Sequence, residues 1–241
     1  MKTIGLKNGK NCEAKCNDIA VYVCTHKAFD KGLTNSIHRK LCVGGYHEDG
    51  ELDARVGVNI EPLNAKLNEC TASYWVWKNT DHPYKGLCQY LRYFIDKHTG
   101  NLLDEECARE YFKEYQAIFV VENCIPKTIV EHTKSYTTPY CDESFDILRK
   151  SVKEYQPSYL KAFDDMMSGH YSYLYNMVLT RGEIFDAYCE WLFSFIIPAA
   201  EKYKHDDRGM GYWAEMMQRI WFTKNFDRRK DFTFMPCITI K

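Results

Sequence analysis

The chain has 241 residues, with 32 Lys plus Arg against 33 Asp plus Glu and a formal net charge of −1. That balance excludes general nucleic-acid binding, which needs a basic excess or patch. No apolar run approaches the roughly 20 residues that span a bilayer, and the opening stretch "MKTIGLKNGKNCEAKCND" is polar throughout, so the expected location is the cytoplasm. Eleven cysteines are scattered, several inside apolar stretches (Cys24, Cys42, Cys70, Cys88, Cys189). Such residues read as small buried hydrophobes of a reducing compartment. Cys12 and Cys16 form the only close pair, with no second pair to complete a zinc site.

In chain order, "DIAVYVCTH" is an apolar run of strand length whose polar carboxyl end is where α/β proteins place ligands. "HRKLCVGGY" reads as a short strand followed by a Gly-Gly turn. Residues 61–79 read as one helix: Pro62 suits its first position, and Leu63, Leu67, Cys70, Tyr74 and Trp77 recur at spacings of three and four. That stripe makes Tyr74 and Trp77 core residues on the simplest reading. "TDHP" breaks the helix, and "YKGLCQYLRYF" reads as one continuous strand, with Tyr84, Gly86, Cys88, Tyr90, Arg92 and Phe94 on one face. An arginine late in an apolar strand needs a partner, either a core carboxylate or a bound phosphate.

"LLDEECAREYFKEY" reads as a helix, "QAIFVVE" as a buried strand, and "KTIVEHTKSYTT" as a polar loop. "ESFDILRKSVKEY" is an amphipathic helix, and "PSYLKAFDDMMSG" a shorter one. "YSYLYNMVLTRGEIF" passes from a strand into a long helix whose core face is Ile184, Phe185, Tyr188, Trp191, Leu192 and Phe195. The loop "KYKHDDRGMG" leads into the helix "YWAEMMQRIWFTKN", and "DFTFMPCITIK" is a final extended segment. With neither repeat nor linker, residues 1–241 read as a single α/β domain, a mixed sheet flanked by helices.

Five ordered stretches carry a resemblance: "YVCTHK", "NECTASYWVWKN", "YKGLCQYLRYF", "YNMVLTRGEIFDAYCEWLF" and "RGMGYWAEMMQRIW". Together the chain resembles a family of small bacterial proteins found with capsule and surface-polysaccharide synthesis. Its members look like glycosyltransferases of the nucleotide-diphospho-sugar-binding (GT-A) fold. The family pattern runs roughly E-L-T-A-x-Y-W-x-W-K-N through the second stretch and G-L-C-H-Y-R-R-Y-F through the third. The resemblance implies that Thr25, His26 and Lys27 hold the base and ribose, that Glu69, Tyr74, Trp75, Lys78 and Asn79 belong to the site's helix, and that Tyr90, Arg92, Tyr93 and Phe94 end the strand facing the cleft. Asn176 and Met177, and then Gly211 and Glu215, match later positions. Gln89 stands where the pattern has histidine, and Leu91 where it has the first of two arginines.

Type A glycosyltransferases commonly hold a divalent metal with an Asp-x-Asp pair at this strand end, yet "CQYLRYF" has no carboxylate. The expected site therefore has no metal or other cofactor, manganese being the disfavoured alternative. The diphosphate is instead neutralised by Arg92, helped by Lys27 or Lys78. Glu215 is the candidate base, although an i,i+4 ion pair with Arg219 would explain it equally well. Asp206 and Asp207 read either as a base or metal ligand or as a solvated helix cap. His38, His47, His82, His132, His170 and His205 show no metal spacing and read as surface or loop residues. No phosphate-cradling Gly-x-x-x-x-Gly-Lys, Gly-x-Ser-x-Gly or His-Glu-x-x-His motif is present. The implied partners are a nucleotide-sugar donor, with uridine diphosphate favoured, and a glycan or lipid-linked acceptor of capsule, exopolysaccharide or lipopolysaccharide, reached with at most peripheral membrane contact. The alternative is a degenerate sugar-nucleotide- or glycan-binding protein of the same fold.

Overall fold

The computed structural model describes residues 18–29, 34–172 and 175–239. Cys12 and Cys16 lie outside them. The elements run in order β1 (Ile19–Thr25), β2 (His38–Cys42), β3 (Leu52–Asp53), α1 (Asn64–Leu67), α2 (Cys70–Asn79), β4 (Tyr84–Gln89), β5 (Arg92–Phe94), α3 (Glu105–Glu114), β6 (Ala117–Val120), β7 (Asn123–Cys124), α4 (Ile129–Tyr136), α5 (Cys141–Tyr155), α6 (Leu160–Met167), β8 (Tyr171–Ser172), β9 (Val178–Arg181), α7 (Gly182–Lys202), α8 (Gly209–Asn225), β10 (Phe232–Met235) and β11 (Cys237–Thr239). The main sheet has the order β10-β6-β9-β4-β1-β2-β3. Strands β3, β2, β1 and β4 are mutually parallel, and β9 runs antiparallel to both β4 and β6. This is the α/β mixed sheet that the pattern of elements implied.

β1 reads as an unbroken apolar run because both its faces are buried. Ala20, Tyr22 and Cys24 enter the larger core with α2 and α5 to α8, while Ile19, Val21 and Val23 enter a smaller core shared with α3 and β5. The proposed core face of α7 is all buried, with Phe195 fully so. Each such side chain contributes on the order of 1.5–3 kcal/mol. Gly86 marks a close approach in the sheet: a Cβ there would fall on the carbonyl oxygen of Val178 in β9.

Three local expectations are corrected. Residues 61–79 are not one helix: a 3-10 turn at Glu61–Leu63 and α1 end at Asn68, whose φ of 48° takes the backbone out of the helical region before α2 begins. The 84–94 stretch is two strands, reversed at Tyr90–Leu91 so that Gln89 and Arg92 become directly opposed partners. Opposed residues of an antiparallel pair project to the same side, which puts Gln89 beside Arg92 and not on the other face. Finally, the polar 127–138 stretch holds helix α4. Thr128 and Glu131 form a capping box there, the side chain of each bonding the backbone N–H of the other.

Candidate active site at the carboxyl ends of β1 and β4

The carboxyl ends of two adjacent parallel strands, β1 and β4, open onto a cleft of two lobes. The first, about 480 Å³, is lined among others by His26, Gly44, Asn64, Tyr90 and Leu91. The second, about 590 Å³, is lined by His132, Ser135, Tyr175, Tyr212 and Glu215. Asn68, Glu69, Gln89, Arg92 and Arg208 line both. Volumes of this size suit a small-molecule ligand.

Each shared residue is delivered by a local irregularity. The break at Asn68 ends α1 and sets Glu69 just ahead of α2. The tight β4–β5 reversal presents Gln89 and Arg92 together. Arg208 adopts a left-handed backbone at φ 67° immediately before α8, where its N–H is held by the carbonyl of Ala65. Tyr175 and Asn176 are consecutive left-handed residues, at φ 75° and 52°, leading into β9. Such conformations cost non-glycine residues roughly 1–3 kcal/mol each and tend to persist at functional sites.

The side chains are tied to one another. Gln89 donates from Nε2 to Glu69 Oε1 at 3.1 Å and to the carbonyl of Tyr175 at 3.0 Å, while its Oε1 accepts from Arg92 Nη1. The Arg92 guanidinium also lies over the Tyr175 ring, 4.1 Å from its centroid. Its Nε is buried without a partner among the described residues, so part of a five-donor fork is left over by them. Among the described residues Arg92 makes no ion pair with an internal acid, its side-chain partner being Gln89.

Two carboxyls share this cleft. Burial pushes Glu69 above its ordinary range, with Arg208 and Arg92 pulling it back. Burial, then the nearby Glu69, raises Glu215 to about 7, opposed by the Tyr175 N–H and by Arg92. A carboxyl titrating there is matched to proton abstraction near neutral pH. On the other side of the cleft, burial and the cations Arg208 and Lys27 depress His26.

Of the residues singled out in the sequence, His26, Glu69, Gln89, Tyr90, Arg92 and Glu215 come together here. Others do not line the cleft. The Thr25 hydroxyl is fully buried and closes a turn onto the backbone of Lys27, and Lys27 sits over the Tyr90 ring. Tyr74 packs edge-on against Trp77 and Phe193, and Lys78 covers Trp77. Trp75 donates its indole N–H to the carbonyl of Val56, and Asn79 bonds both N–H and C=O of Val58. The aromatic helix thus clamps the 56–58 loop instead of lining the cleft. Tyr93 is buried on the far side of the turn, its hydroxyl on the carbonyl of Tyr90. Asn176 is buried behind Tyr175 in sequence, its Nδ2 without a partner among the described residues. Gly211 lets α8 pass close to Asn68, whose side chain would meet any added Cβ.

The sequence reading missed Arg208, Tyr175, Tyr212 and His132. Arg208 is the second cation of the cleft, in place of Lys27 or Lys78. His38 is a further correction, being buried, with its ring pushed down to about 4. Of the acidic pair, Asp206 lines the first lobe, whereas Asp207 accepts from the Tyr203 hydroxyl and from Gly209 N–H. Arg219 reaches Glu122, so Glu215 is not explained by that arginine. Among the described residues no cluster of three His, Cys, Asp or Glu forms a metal site. At the end of β4 the paired side chains are an amide, whose oxygen already accepts from Arg92, and that guanidinium.

A model of the family described as Domain of unknown function (DUF4422) matches residues 20–226, and the chain belongs to that family. No curated protein sequence matches it. Among solved structures, the apo form of WbbM, a bifunctional glycosyltransferase, is similar with a TM-score of 0.74 and 21% identity, over 93% of this chain and 46% of that one. The present chain thus spans about half the length of WbbM. Core-mannan synthase A (CmsA/Ktr4) from Aspergillus fumigatus, in its manganese and GDP form, matches at 10% identity and a TM-score of 0.35 over 88% and 77% of the two chains, too remote to carry weight. The likeness is one of fold: a mixed α/β sheet flanked by helices, as in the matching half of WbbM.

Proposed function

We propose that this DUF4422 member transfers a glycosyl group from a nucleoside diphosphate sugar to a hydroxyl of a growing surface glycan, with uridine diphosphate the favoured leaving group. The observation that carries this reading is the sharing of one cleft by a guanidinium with donors to spare and a buried carboxyl that titrates near neutrality. The diphosphate lies against Arg92 and Arg208, whose positive charge stabilises the oxygen that departs with it. The acceptor hydroxyl enters the second lobe and gives its proton to Glu215. Its oxygen attacks the anomeric carbon as the bond from that carbon to the diphosphate oxygen breaks, and the electron pair leaves with the nucleotide. This reading routes no step through a metal, the diphosphate charge being met by Arg92 and Arg208.

Among the described residues no helix is long and apolar enough to cross a membrane, so a lipid-linked acceptor would be met by peripheral contact. A rival reading keeps the binding and drops the chemistry. It is favoured by Leu91, which lines the first lobe with an aliphatic side chain where the family pattern carries an arginine. Thermal-shift titration with uridine and guanosine diphosphates, with and without manganese, followed by assay of donor turnover, separates the two. Saturation at about 100 times Kd adds roughly 2.7 kcal/mol of stability. Stabilisation with turnover supports transfer, stabilisation without it supports the rival, and no stabilisation by any nucleotide defeats both.

A further inference from the structure

Gln89 is only 7% exposed, yet its amide spends both ends inside the cleft. The oxygen accepts from the Arg92 guanidinium, and the nitrogen donates to the Glu69 carboxylate and to the Tyr175 carbonyl. The residue it holds, Tyr175, is itself a junction. Its N–H donates to Glu215 Oε2 at 3.0 Å, and its ring lies under Arg92. One peptide, strained at φ 75°, therefore touches both the cation and the carboxyl on which the proposed transfer depends.

We propose that Gln89 is a positioning residue that sets the guanidinium of Arg92 in fixed register with the carboxyl of Glu215, acting through the Tyr175 peptide. This rests on the proposed function for what the register serves, and on geometry alone for its existence. The side-chain chemistry is demanding. The group at position 89 must accept from a cation, donate to an anion and donate to a carbonyl at once. A primary amide does all three without charge. A carboxylate there would bind Arg92 but face Glu69 and a carbonyl with no donor. An aliphatic chain would leave all three unpaired at a buried position, at a cost for each. An imidazole, with one donor and one acceptor, satisfies two of the three. The guanidinium and Glu215 come from elements far apart in sequence, and a misplacement on the order of 1 Å between such groups can cost about 100-fold in rate.

The test uses Gln89→Leu and Gln89→His in the full chain, with two readouts. The first needs no substrate: the NMR cross-peak of the Arg92 Nη1–H that Gln89 Oε1 accepts, assigned by its loss in Arg92→Lys. It is expected to be protected from solvent exchange in the native protein, lost to exchange in Gln89→Leu and partly recovered in Gln89→His. Undiminished protection in Gln89→Leu overturns the proposal. The second is transfer kinetics from a uridine diphosphate sugar. Gln89→Leu is expected to raise the donor KM about tenfold and to lower kcat about 100-fold together, whereas Glu215→Asp acts on kcat alone. A variant that merely loses folded protein, with both constants per folded molecule unchanged, also overturns it. If Gln89→Leu does not fold, Gln89→His supplies both measurements, and native-like protection and kinetics at native stability with two of three bonds are not expected. Should the native protein bind no nucleotide, the proposed function fails, while the Arg92 resonance still decides the tether.

Discussion

The peptide N–H of Tyr175 donates to Oε2 of Glu215 at 3.0 Å, and Glu215 takes no other hydrogen bond from the described residues. One carboxylate oxygen is thereby aimed and the other left for a ligand. Glu215→Gln keeps the shape and an acceptor but removes the base. Transfer should fall by about 10²–10⁴-fold while uridine diphosphate affinity stays within about twofold of native. Steady-state assay and calorimetry on the same preparation check the two halves.

The same carboxyl sets a pH dependence. The base works ionised, so kcat/KM should climb as pH rises through about 7 and level off above it. Stability should run the other way. A carboxyl raised from 4.5 to about 7 favours the neutral form in the folded protein. Its contribution is therefore complete below about 4.5 and is lost as pH rises through about 7. Urea unfolding across that window should show a falling contribution that Glu215→Gln flattens.

His26 reports on the donor lobe. Its imidazole is depressed by burial first, then by Arg208 and Lys27. A diphosphate that neutralises those cations should raise the His26 pKa, so that binding near pH 6 takes up protons. NMR titration of the ring with and without uridine diphosphate measures this. A downward shift would place the anion elsewhere.

Gly86→Ala tests the scaffold beneath the site. The new methyl would collide with the carbonyl of Val178, a backbone atom of the neighbouring strand. Overpacking of this kind costs about 1–3 kcal/mol, readable as a lower urea midpoint at unchanged slope.

What the sequence made legible was whatever rests on a repeating pattern. β1 announced itself because both faces are buried, and α7 because its core face recurs at helical spacing. The irregular features escaped. Tyr90 and Leu91 turn the chain without the glycine or asparagine that marks tight hairpins, so β4 and β5 read as one strand. Asn68 interrupts an apolar stripe that continues unbroken across it, since the side chains on both sides are still buried. The α4 helix carried a legible signal, Thr128 and Glu131 at capping-box spacing, which its polar composition obscured. Arg208 opens the stretch "RGMGYWAEMMQRIW", yet no periodicity there marks it as a residue of the site. It joins the cleft because a left-handed backbone at the start of α8 brings it there, a tertiary fact with no local sequence period. The aromatic helix is the opposite case: its Trp75 and Asn79 bond the 56–58 loop, a contact that no local pattern in the sequence distinguishes from a place in the cleft.

The most direct measurement is calorimetric titration of uridine diphosphate into the native protein and Arg92→Ala, each without and with manganese. A charge-assisted hydrogen bond is worth about 1.5–3 kcal/mol, so metal-free binding to the native protein should weaken by roughly 10- to 100-fold in the variant. Equal affinity for both proteins, or binding that appears only when manganese is added, would contradict it.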